Sequence, residues 1–264
     1  MRDSTALIAG LRLIAATAAI GGACGAADTT RHEPDDGDPA AWFRDGLPRA
    51  KVHELHAAEP QDAATAAGFG VAMALAGGAT PLLWLRTEAA ERAGGRLRAS
   101  GLLELGLDPA QLVLAIVADE AALLRAAADA ARCPGLGGLV VEAWGRAPGL
   151  DLTATRRLQL AAEASGVTVM VLRVAGAPAP SAAATRWSVA ACPSTALDAE
   201  APGRPAFLID LQRRRGGPAG QRWRVEWNRD TLEFDAEALS GAGLSLAADR
   251  AAAVDPPASV RRAG

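Results

Sequence analysis

The sequence has a single lysine, Lys51, among 264 residues, and no tyrosine. Residues 46–55 predict a short buried strand, and neither a glycine nor a lysine occurs in residues 56–65 that follow. A phosphate-binding loop of the G-x-x-x-x-G-K-[ST] type needs glycines that let backbone amides close around a phosphate, and a lysine for the terminal phosphates. Glu59 and Asp62 stand there instead and would repel a polyanion. The sequence therefore excludes a standard phosphate loop at this position.

The sequence also has few cysteines and no excess of positive charge. The three cysteines, Cys24, Cys133 and Cys192, are far apart and odd in number, which favours a reducing compartment over a disulfide framework. A formal net charge of −3 argues against binding nucleic acid through the overall field, although local basic patches stay possible. A chain of 264 residues suits one α/β domain with tails or two small domains.

The N-terminal apolar run, residues 7–20, is too short to span a membrane and is interrupted by Arg12. The sequence Gly-Gly-Ala-Cys that ends at Cys24 weakly resembles a lipoprotein cleavage site, so an exported binding domain is a third alternative for the protein. An N-terminal helix or a disordered extension is favoured. We predict an extension and acidic linker over residues 1–41, a folded domain over 42–235 and a mobile tail over 236–264.

Strand and helix patterns alternate in the middle of the chain. Apolar runs at residues 81–87, 111–117, 138–144 and 167–173 predict strands buried on both faces. Helical patterns separate them at 61–76, 88–103, 120–132 and 151–165, which indicates right-handed crossovers and a largely parallel sheet. Strand patterns then follow without long helices at 185–190, 206–213, 222–227 and 231–234. The predicted fold class is α/β, with an antiparallel C-terminal extension.

Several motifs occur in the order found in RecA-type recombinases. Residues 83–88 resemble the strand that ends in their catalytic glutamate, which places Glu88 at that position. Residues 138–142 resemble the Walker B strand, with Glu142 where that family has aspartate. The resemblance implies a RecA-like sheet flanked by helices. Because the phosphate loop is missing, we interpret Glu88 and Glu142 as vestigial nucleotide-site positions, and we expect no catalytic residue and no cofactor.

A narrower resemblance is to ImuA-type damage-inducible mutagenesis proteins. It rests on residues 150–163 (LDLTATRRLQLAAE), 185–187 (TRW) and 215–217 (RGG), within a match that covers about residues 42–234. It implies a non-enzymatic adaptor in SOS-induced translesion synthesis that binds an ImuB-like inactive Y-family polymerase homologue. An error-prone C-family polymerase would be an indirect partner and RecA a further one, in a cytoplasmic protein that joins the nucleoid when induced. The alternative is a RecA-like ATPase or recombination mediator with an atypical nucleotide site.

Candidate contact residues for a partner or for DNA fall into three groups. A basic cluster lies on the predicted C-terminal hairpin and suits phosphate, an acidic partner or simple solvation: Arg213, Arg214, Arg215, Arg222 and Arg224. Arg156 and Arg157 lie on a predicted helix, one as a contact and the other covering the core with its stem. Leu239, Leu244 and Leu246 are candidate anchors in the tail. The recombinase DNA loops would fall near residues 145–149 and 175–184, where Arg146 is the only charge, so we expect weak DNA binding at most.

Two other patterns each allow a structural interpretation beside a functional one. His53 and His56 suggest a metal, but they are three residues apart on a predicted strand and therefore face opposite sides. We predict no metal site. Trp223 and Trp227 share one face of a predicted strand, where they either fill the core or form an interface hot spot.

Overall fold

A computed structural model describes residues 38–239, which form a nine-stranded mixed sheet with helices on both faces. The strands are β1 Val52–Ala57, β2 Leu82–Thr87, β3 Leu112–Val117, β4 Gly138–Trp144, β5 Thr168–Val174, β6 Thr185–Ala191, β7 Ala206–Arg214, β8 Gln221–Asn228 and β9 Glu233–Ala238. The α-helices are α1 Trp42–Asp45, α2 Ala63–Ala76, α3 Glu88–Gly94, α4 Ala99–Glu104, α5 Glu120–Ala130 and α6 Leu152–Ser165.

The sheet has the order β3-β2-β4-β5-β1-β6-β7-β8-β9. Neighbouring strands from β3 to β6 are parallel, whereas β6, β7, β8 and β9 pair in antiparallel fashion. The predicted α/β fold, a mostly parallel sheet flanked by helices with an antiparallel C-terminal extension, is confirmed. The sheet places β1 at its centre, between β5 and β6, so the carboxyl end of β1 lies where an α/β fold binds ligands.

Helix ends follow the signals in the sequence. Asp151 caps α6 by accepting a hydrogen bond from the backbone N–H of Ala154 at 2.8 Å, and Gly166 closes the helix with a φ of +84°. Asp119 caps α5 in the same way through the N–H of Ala122, at 2.7 Å. Aspartate side chains therefore fix the starts of both helices, and a left-handed glycine fixes the end of α6.

Strand β1 begins later than the sequence predicts. The predicted strand covered residues 46–55, but Gly46 has a φ of +77° and residues 46–51 form a turn before the strand begins. A Cβ atom at Gly46 would lie 2.3 Å from the Cα of Gly77 at the end of α2, so only glycine permits this close approach. The turn ties the entry of β1 to the far end of α2.

The aromatic residues are few, but most of them pack in one cluster beneath the antiparallel strands. Phe43 of α1 lies 5.3 Å from Trp223, and Trp227 lies 4.8 Å from Phe234, measured between ring centroids. Trp223 and Trp227 are buried, so their core interpretation is confirmed and their interpretation as interface residues is wrong. The opposite face of the sheet is covered by α5 and α6 through small aliphatic side chains.

Two element predictions need correction. Strand β3 pairs only with β2, so it is an edge strand rather than a buried one, and Leu114 and Ile116 are 37% and 42% exposed. Strand β9 continues to Ala238, three residues into the predicted tail, and Leu239 just beyond it is exposed. Leu244 and Leu246, and residues 1–37 of the predicted extension over residues 1–41, lie outside the described residues, whereas Pro39–Ala41 of that extension form a 3-10 helix. Every helix within residues 38–239 is too short or too polar to cross a lipid bilayer.

Candidate functional site

The turn between β1 and α2 occupies the position of a phosphate loop and lacks its features. After Ala57 the chain passes through Glu59 into a short 3-10 helix, Pro60–Asp62, and then directly into α2. The carboxylate of Asp62 accepts a hydrogen bond from the backbone N–H of Ala191 at 3.1 Å, which ties this turn to the end of β6. Lys51 lies before the opposite end of β1, about 20 Å away for a six-residue strand. The turn thus presents carboxylates where phosphates would bind.

Glu142 on β4 is engaged by three donors. Its carboxylate accepts hydrogen bonds from the indole N–H groups of Trp84, at 2.7 Å, and Trp144, at 2.5 Å. It also accepts one from Nη2 of Arg86 at 3.0 Å, and the side chains of this ion pair are only 3% and 5% exposed. A carboxylate held by a buried cation and two indoles has a structural role, since three donors occupy most of its acceptor sites.

Glu88 has a different environment. It is the first residue of α3, next to Thr87, whose hydroxyl caps the helix by accepting a hydrogen bond from the N–H of Ala90. Its side chain is 60% exposed and forms a weak ion pair with Arg92 at 3.6 Å. Glu142 instead pairs with Arg86 in a buried setting. The structure therefore does not assemble Glu88 and Glu142 into one site.

A cleft of about 260 Å³ lies beside these positions, between α2, the α3–α4 segment and the ends of β2 and β4. We call it the arginine cleft; its walls include Ala64, Ala67, Gly101, Arg86, Arg98 and Trp144. Trp144 packs so closely on α3 that a Cβ atom at Gly94 would lie 2.3 Å from its ring. Small residues therefore leave the cleft open, while Trp84, Glu142 and Arg86 form its floor.

The strongest polar cluster is centred on Glu54, which the sequence analysis did not single out. Glu54 is buried in the middle of β1 and accepts hydrogen bonds from Nε of Arg173 at 3.2 Å and Nε of Arg186 at 2.9 Å. The hydroxyl of Ser181 donates to the same carboxylate at 2.8 Å. Burial alone would raise the pKa of Glu54, but His56, Ser181 and the charge of Arg186 lower it to about 2.

A signal for this cluster was available in the sequence. A glutamate inside a strand whose six residues are all buried must find a cation, because an unpaired buried charge is very costly. Arginines occur within the neighbouring strands β5 and β6 at positions 173 and 186. What the sequence does not give is the strand order that brings them together.

The same arginines contact the chain at or beside the two segments, residues 145–149 and 175–184, where the resemblance to recombinases implies DNA loops. Nη2 of Arg173 donates to the carbonyl of Leu150 at 2.6 Å, and Nη2 of Arg186 donates to the carbonyl of Ala179 at 2.5 Å. The backbone N–H of Ala182 donates to Thr155 on α6 at 3.0 Å. The loop over residues 175–184 is therefore fastened to the sheet and to α6 instead of being free to close on DNA.

The predicted basic cluster proves to be structural for the most part. Arg213 donates to the carbonyls of Ser181, at 3.0 Å, and Ala183, at 2.5 Å, and Arg215 donates to that of Ala182 at 2.7 Å. Their guanidinium groups bind this loop, which leaves fewer N–H groups of Arg213 and Arg215 for a phosphate or a partner.

The other three arginines of that cluster are also engaged. Arg214 is buried, with its guanidinium 5.0 Å from the ring centroid of Trp42. Arg222 forms an ion pair with Asp210 at 3.5 Å, and Arg224 donates to Glu226 and to the carbonyl of Pro193. Arg222 and Arg224, which alternate along β8, thus contact acceptor groups on neighbouring strands and loops. Fewer of their N–H groups remain for a ligand.

Arg156 and Arg157 are both exposed on α6, so the expectation that one stem covers the core is wrong. Leu152 and Leu160 are 51% and 57% exposed on the same helix, which buries Leu158 and other residues against the sheet. The outer side of α6 therefore presents two arginines and two leucines.

The two histidines have separate roles. His53 is buried, with Nδ1 2.8 Å from the Thr185 hydroxyl and Nε2 2.8 Å from the carbonyl of Pro48. Burial, partly offset by the bond to Pro48, lowers the pKa of His53 to about 4, so the ring is neutral. His56 lies 3.9 Å from Glu54. Within residues 38–239, no cluster of three His, Cys, Asp or Glu side chains could hold a metal ion.

Comparisons with known proteins add a sequence relative and a structural neighbour. No protein-family model matches the chain. Protein ImuA of Caulobacter vibrioides strain NA1000 / CB15N is 37% identical over 191 residues, which cover 66% of this chain and 74% of the relative. Protein ImuA of strain ATCC 19089 / CIP 103742 / CB 15 matches with the same values. The crystal structure of the RadB recombinase matches 70% of this chain and 90% of its own, with 11% identity and a TM-score of 0.47.

Proposed function

The chain belongs to the ImuA family, and we propose that it is a non-catalytic adaptor in damage-induced mutagenesis. Its partner in this role is an ImuB-like Y-family polymerase homologue, through which it reaches an error-prone C-family polymerase. The family places it in the response to DNA damage. The adaptor role rests on the chemistry of the described residues.

The observation that supports the proposal is the set of side chains in the region where a RecA-type protein would bind nucleotide. The turn after β1 offers Glu59 and Asp62 in place of a glycine-rich cradle, and Asp62 is hydrogen-bonded to the backbone of Ala191. Glu142 is hydrogen-bonded to two indoles and Arg86. An ATPase stabilises the charge of a transferred phosphoryl group with a loop lysine and a metal ion. This chain has carboxylates in that region and no lysine near it.

A second line of support comes from the loops. Recombinase-type DNA binding needs loops that can reorder around a strand, and here residues 175–184 are held by Arg186, Arg213, Arg215 and Thr155. Loops that are already fixed in the free protein lose less conformational entropy when a partner binds. Such loops are suited to forming a rigid binding surface. The proposal therefore assigns the protein to assembly, with at most weak and salt-sensitive contact with DNA.

The test is a paired assay of binding and mutagenesis. Co-purification with the ImuB-like protein and damage-induced mutation frequency are measured for the wild-type chain and for Glu88→Gln, which replaces an exposed carboxylate by its amide. The adaptor role predicts that both are unchanged. A loss of mutation frequency of about tenfold or more, with binding and folding intact, would assign chemistry to Glu88 and contradict the proposal.

The contribution of the C-terminal tail to binding of the ImuB-like protein is tested separately. Deletion of residues 240–264 keeps all of β9 and leaves Leu239 as the last residue. We expect unchanged thermal unfolding and weaker co-purification with the ImuB-like protein. Full affinity in the truncated protein would move the contact to the described domain, where the outer side of α6 with Arg156 and Arg157 is the first candidate.

A further inference from the structure

The arginine cleft is unusual because small residues leave it open in an otherwise well-filled face. Ala64, Ala67 and Gly68 of α2 form one wall, and Gly95 and Gly101 of the α3–α4 segment form the other. A Cβ atom added at Gly101 would meet nothing within 4 Å. The protein therefore keeps a depression here that larger side chains on α4 could fill without strain.

The size of the cleft limits what it can accept. Its volume of about 260 Å³ lies below the range of about 300–1,000 Å³ that is typical of sites for drug-sized ligands and cofactors. Leu97, Leu102 and Leu105 make much of the lining apolar. One or two side chains of a protein partner fit this volume.

The polar groups of the cleft favour a negative partner. Three arginines, Arg86, Arg96 and Arg98, line it together with a single carboxylate, that of Glu142. Arg86 is 2% exposed, and none of the described residues accepts a hydrogen bond from its buried Nε group. Arg96 is 79% exposed and lies 3.8 Å from Glu91, a contact too long and too solvated to neutralise it strongly.

We propose that the arginine cleft binds a peptide segment of a partner protein in which a large apolar side chain is flanked by acidic residues. The apolar side chain enters between α2 and α4, and the carboxylates contact Arg96 and Arg98 at the rim. This inference rests on the proposed adaptor function only in assigning the peptide to a partner protein. Interface hot spots are commonly large side chains in well-packed pockets, surrounded by contacts that exclude water, and Arg is enriched among them.

The experiment is a selection from a phage-displayed library of random short peptides against the full-length wild-type chain. Selected peptides are then measured by fluorescence anisotropy against Gly101→Trp, which fills the cleft, and against Ser100→Trp. Ser100 is exposed on the same helix and does not line the cleft, so it is the matched control. Urea unfolding checks that both variants keep wild-type stability.

The expected result is a consensus of one large apolar residue with acidic neighbours, and binding to Gly101→Trp weakened by about tenfold or more. Ser100→Trp should bind as the wild type does. No enrichment, a basic consensus or equal binding to both variants would overturn the proposal. Because none of these measurements uses the ImuB-like protein, they can fail while the adaptor function holds.

The charge of the rim is tested by a second pair of variants. Arg98→Glu should weaken the selected acidic peptides by about tenfold, whereas Arg125→Glu, which makes the same charge change at an exposed position on α5, should have little effect. If both variants weakened peptide binding equally, the peptides would be responding to the net charge of the protein. That result would contradict a binding site at the cleft.

Discussion

Glu142 accepts hydrogen bonds from Trp84, Trp144 and Arg86, and it is nearly inaccessible to solvent. In a nucleotide-hydrolysing relative of this fold, a carboxylate at this position would need open coordination sites for a metal or a water. Here the indole groups and the guanidinium take those sites. The carboxylate stabilises the floor of the arginine cleft, and Arg86 in turn donates to the carbonyls of Ala90 and Gly95.

Replacement of the Glu142 carboxylate should therefore lower the free energy of unfolding as its main effect. Glu142→Gln keeps the shape but leaves the buried charge of Arg86 unpaired, which costs about 3–5 kcal/mol when one partner of a buried pair is removed. The free energy of unfolding in urea measures this. Glu88→Gln is the control and should change stability by less than about 0.5 kcal/mol, because Glu88 is exposed. An unchanged stability of Glu142→Gln would contradict the structural role.

His53 provides a prediction about pH. The ring is neutral in the folded state because its pKa is lowered from 6.5 to about 4, so the unfolded chain binds more protons between these values. The stability contributed by neutral His53 is present above pH 6.5 and is lost as the pH falls toward 4. The loss amounts to about 3 kcal/mol, measured by urea unfolding across this range.

The control for this prediction is His53→Gln, which is less stable but cannot titrate. Its free energy of unfolding should be flatter between pH 6.5 and 4 than that of the wild type. Glu54, whose pKa is lowered from 4.5 to about 2, loses its contribution only as the pH falls below about 4.5, so the two groups act in largely separate ranges. The same steep decline in both proteins would contradict the assignment to His53.

At the scale of elements, the loop over residues 175–184 is held by side chains of neighbouring strands. Its carbonyl groups accept from Arg186, Arg213 and Arg215, and the N–H of Ala184 donates to the carbonyl of Val52. Arginines that sequence reasoning assigns to a phosphate patch thus donate to backbone acceptors instead. A loop rich in alanine and proline cannot supply its own side-chain partners, so neighbouring strands do.

We expect the double change Arg213→Ala and Arg215→Ala to loosen this loop. Hydrogen exchange measured by mass spectrometry should be faster for peptides that cover residues 175–184, because three backbone acceptors lose their donors. Exchange in α5 should stay as in the wild type. The double change Arg156→Ala and Arg157→Ala removes the same charge from exposed positions and should leave the loop unaffected.

This prediction also separates the structural role from DNA binding. Should the arginines bind phosphate instead, the variant would show a shallower slope in a plot of log affinity against log salt, by about 0.7–0.9 for each phosphate that is no longer neutralised. Loop exchange would then stay unchanged. That outcome would restore the phosphate patch and contradict the fastening of the loop.

The helices were more predictable than the starts of the strands. Asp119, Asp151 and Gly166 are local capping signals, and each marks the end that the structure has. The start of β1 was misplaced because the turn at Gly46 depends on contact with Gly77, 31 positions along the chain. The edge position of β3 was missed for a similar reason, since its apolar sequence does not reveal that only β2 pairs with it.

At the scale of the whole molecule, the alternation of apolar runs and helices was enough to predict a mostly parallel sheet with an antiparallel extension. The candidate site was less predictable. Positions such as Glu88 and Glu142 could be identified from motifs, but the Glu54 cluster and the arginine cleft depend on which strands are neighbours. Arg173 and Arg186 reach Glu54 only because β1 lies between β5 and β6.

The aromatic cluster explains why the antiparallel extension is part of the domain. Phe43 of α1 and Phe69 of α2 contact rings from β6 to β9, including Trp187 and Phe234. Burial of such rings contributes more than any polar contact at this side of the sheet. The parallel sheet and its extension therefore share one core, and the surfaces on both are held in fixed relation for a partner.

We propose that this domain binds no nucleotide, and isothermal titration calorimetry of the full-length protein with ATP and Mg²⁺ tests this proposal most directly. A functional RecA-type recombinase measured under the same conditions is the positive control. With Glu59 and Asp62 in place of a phosphate cradle, we predict no binding with a dissociation constant below about 100 μM, equivalent to about −5.5 kcal/mol. A tighter constant, abolished by substitutions in the turn after β1, would contradict the account.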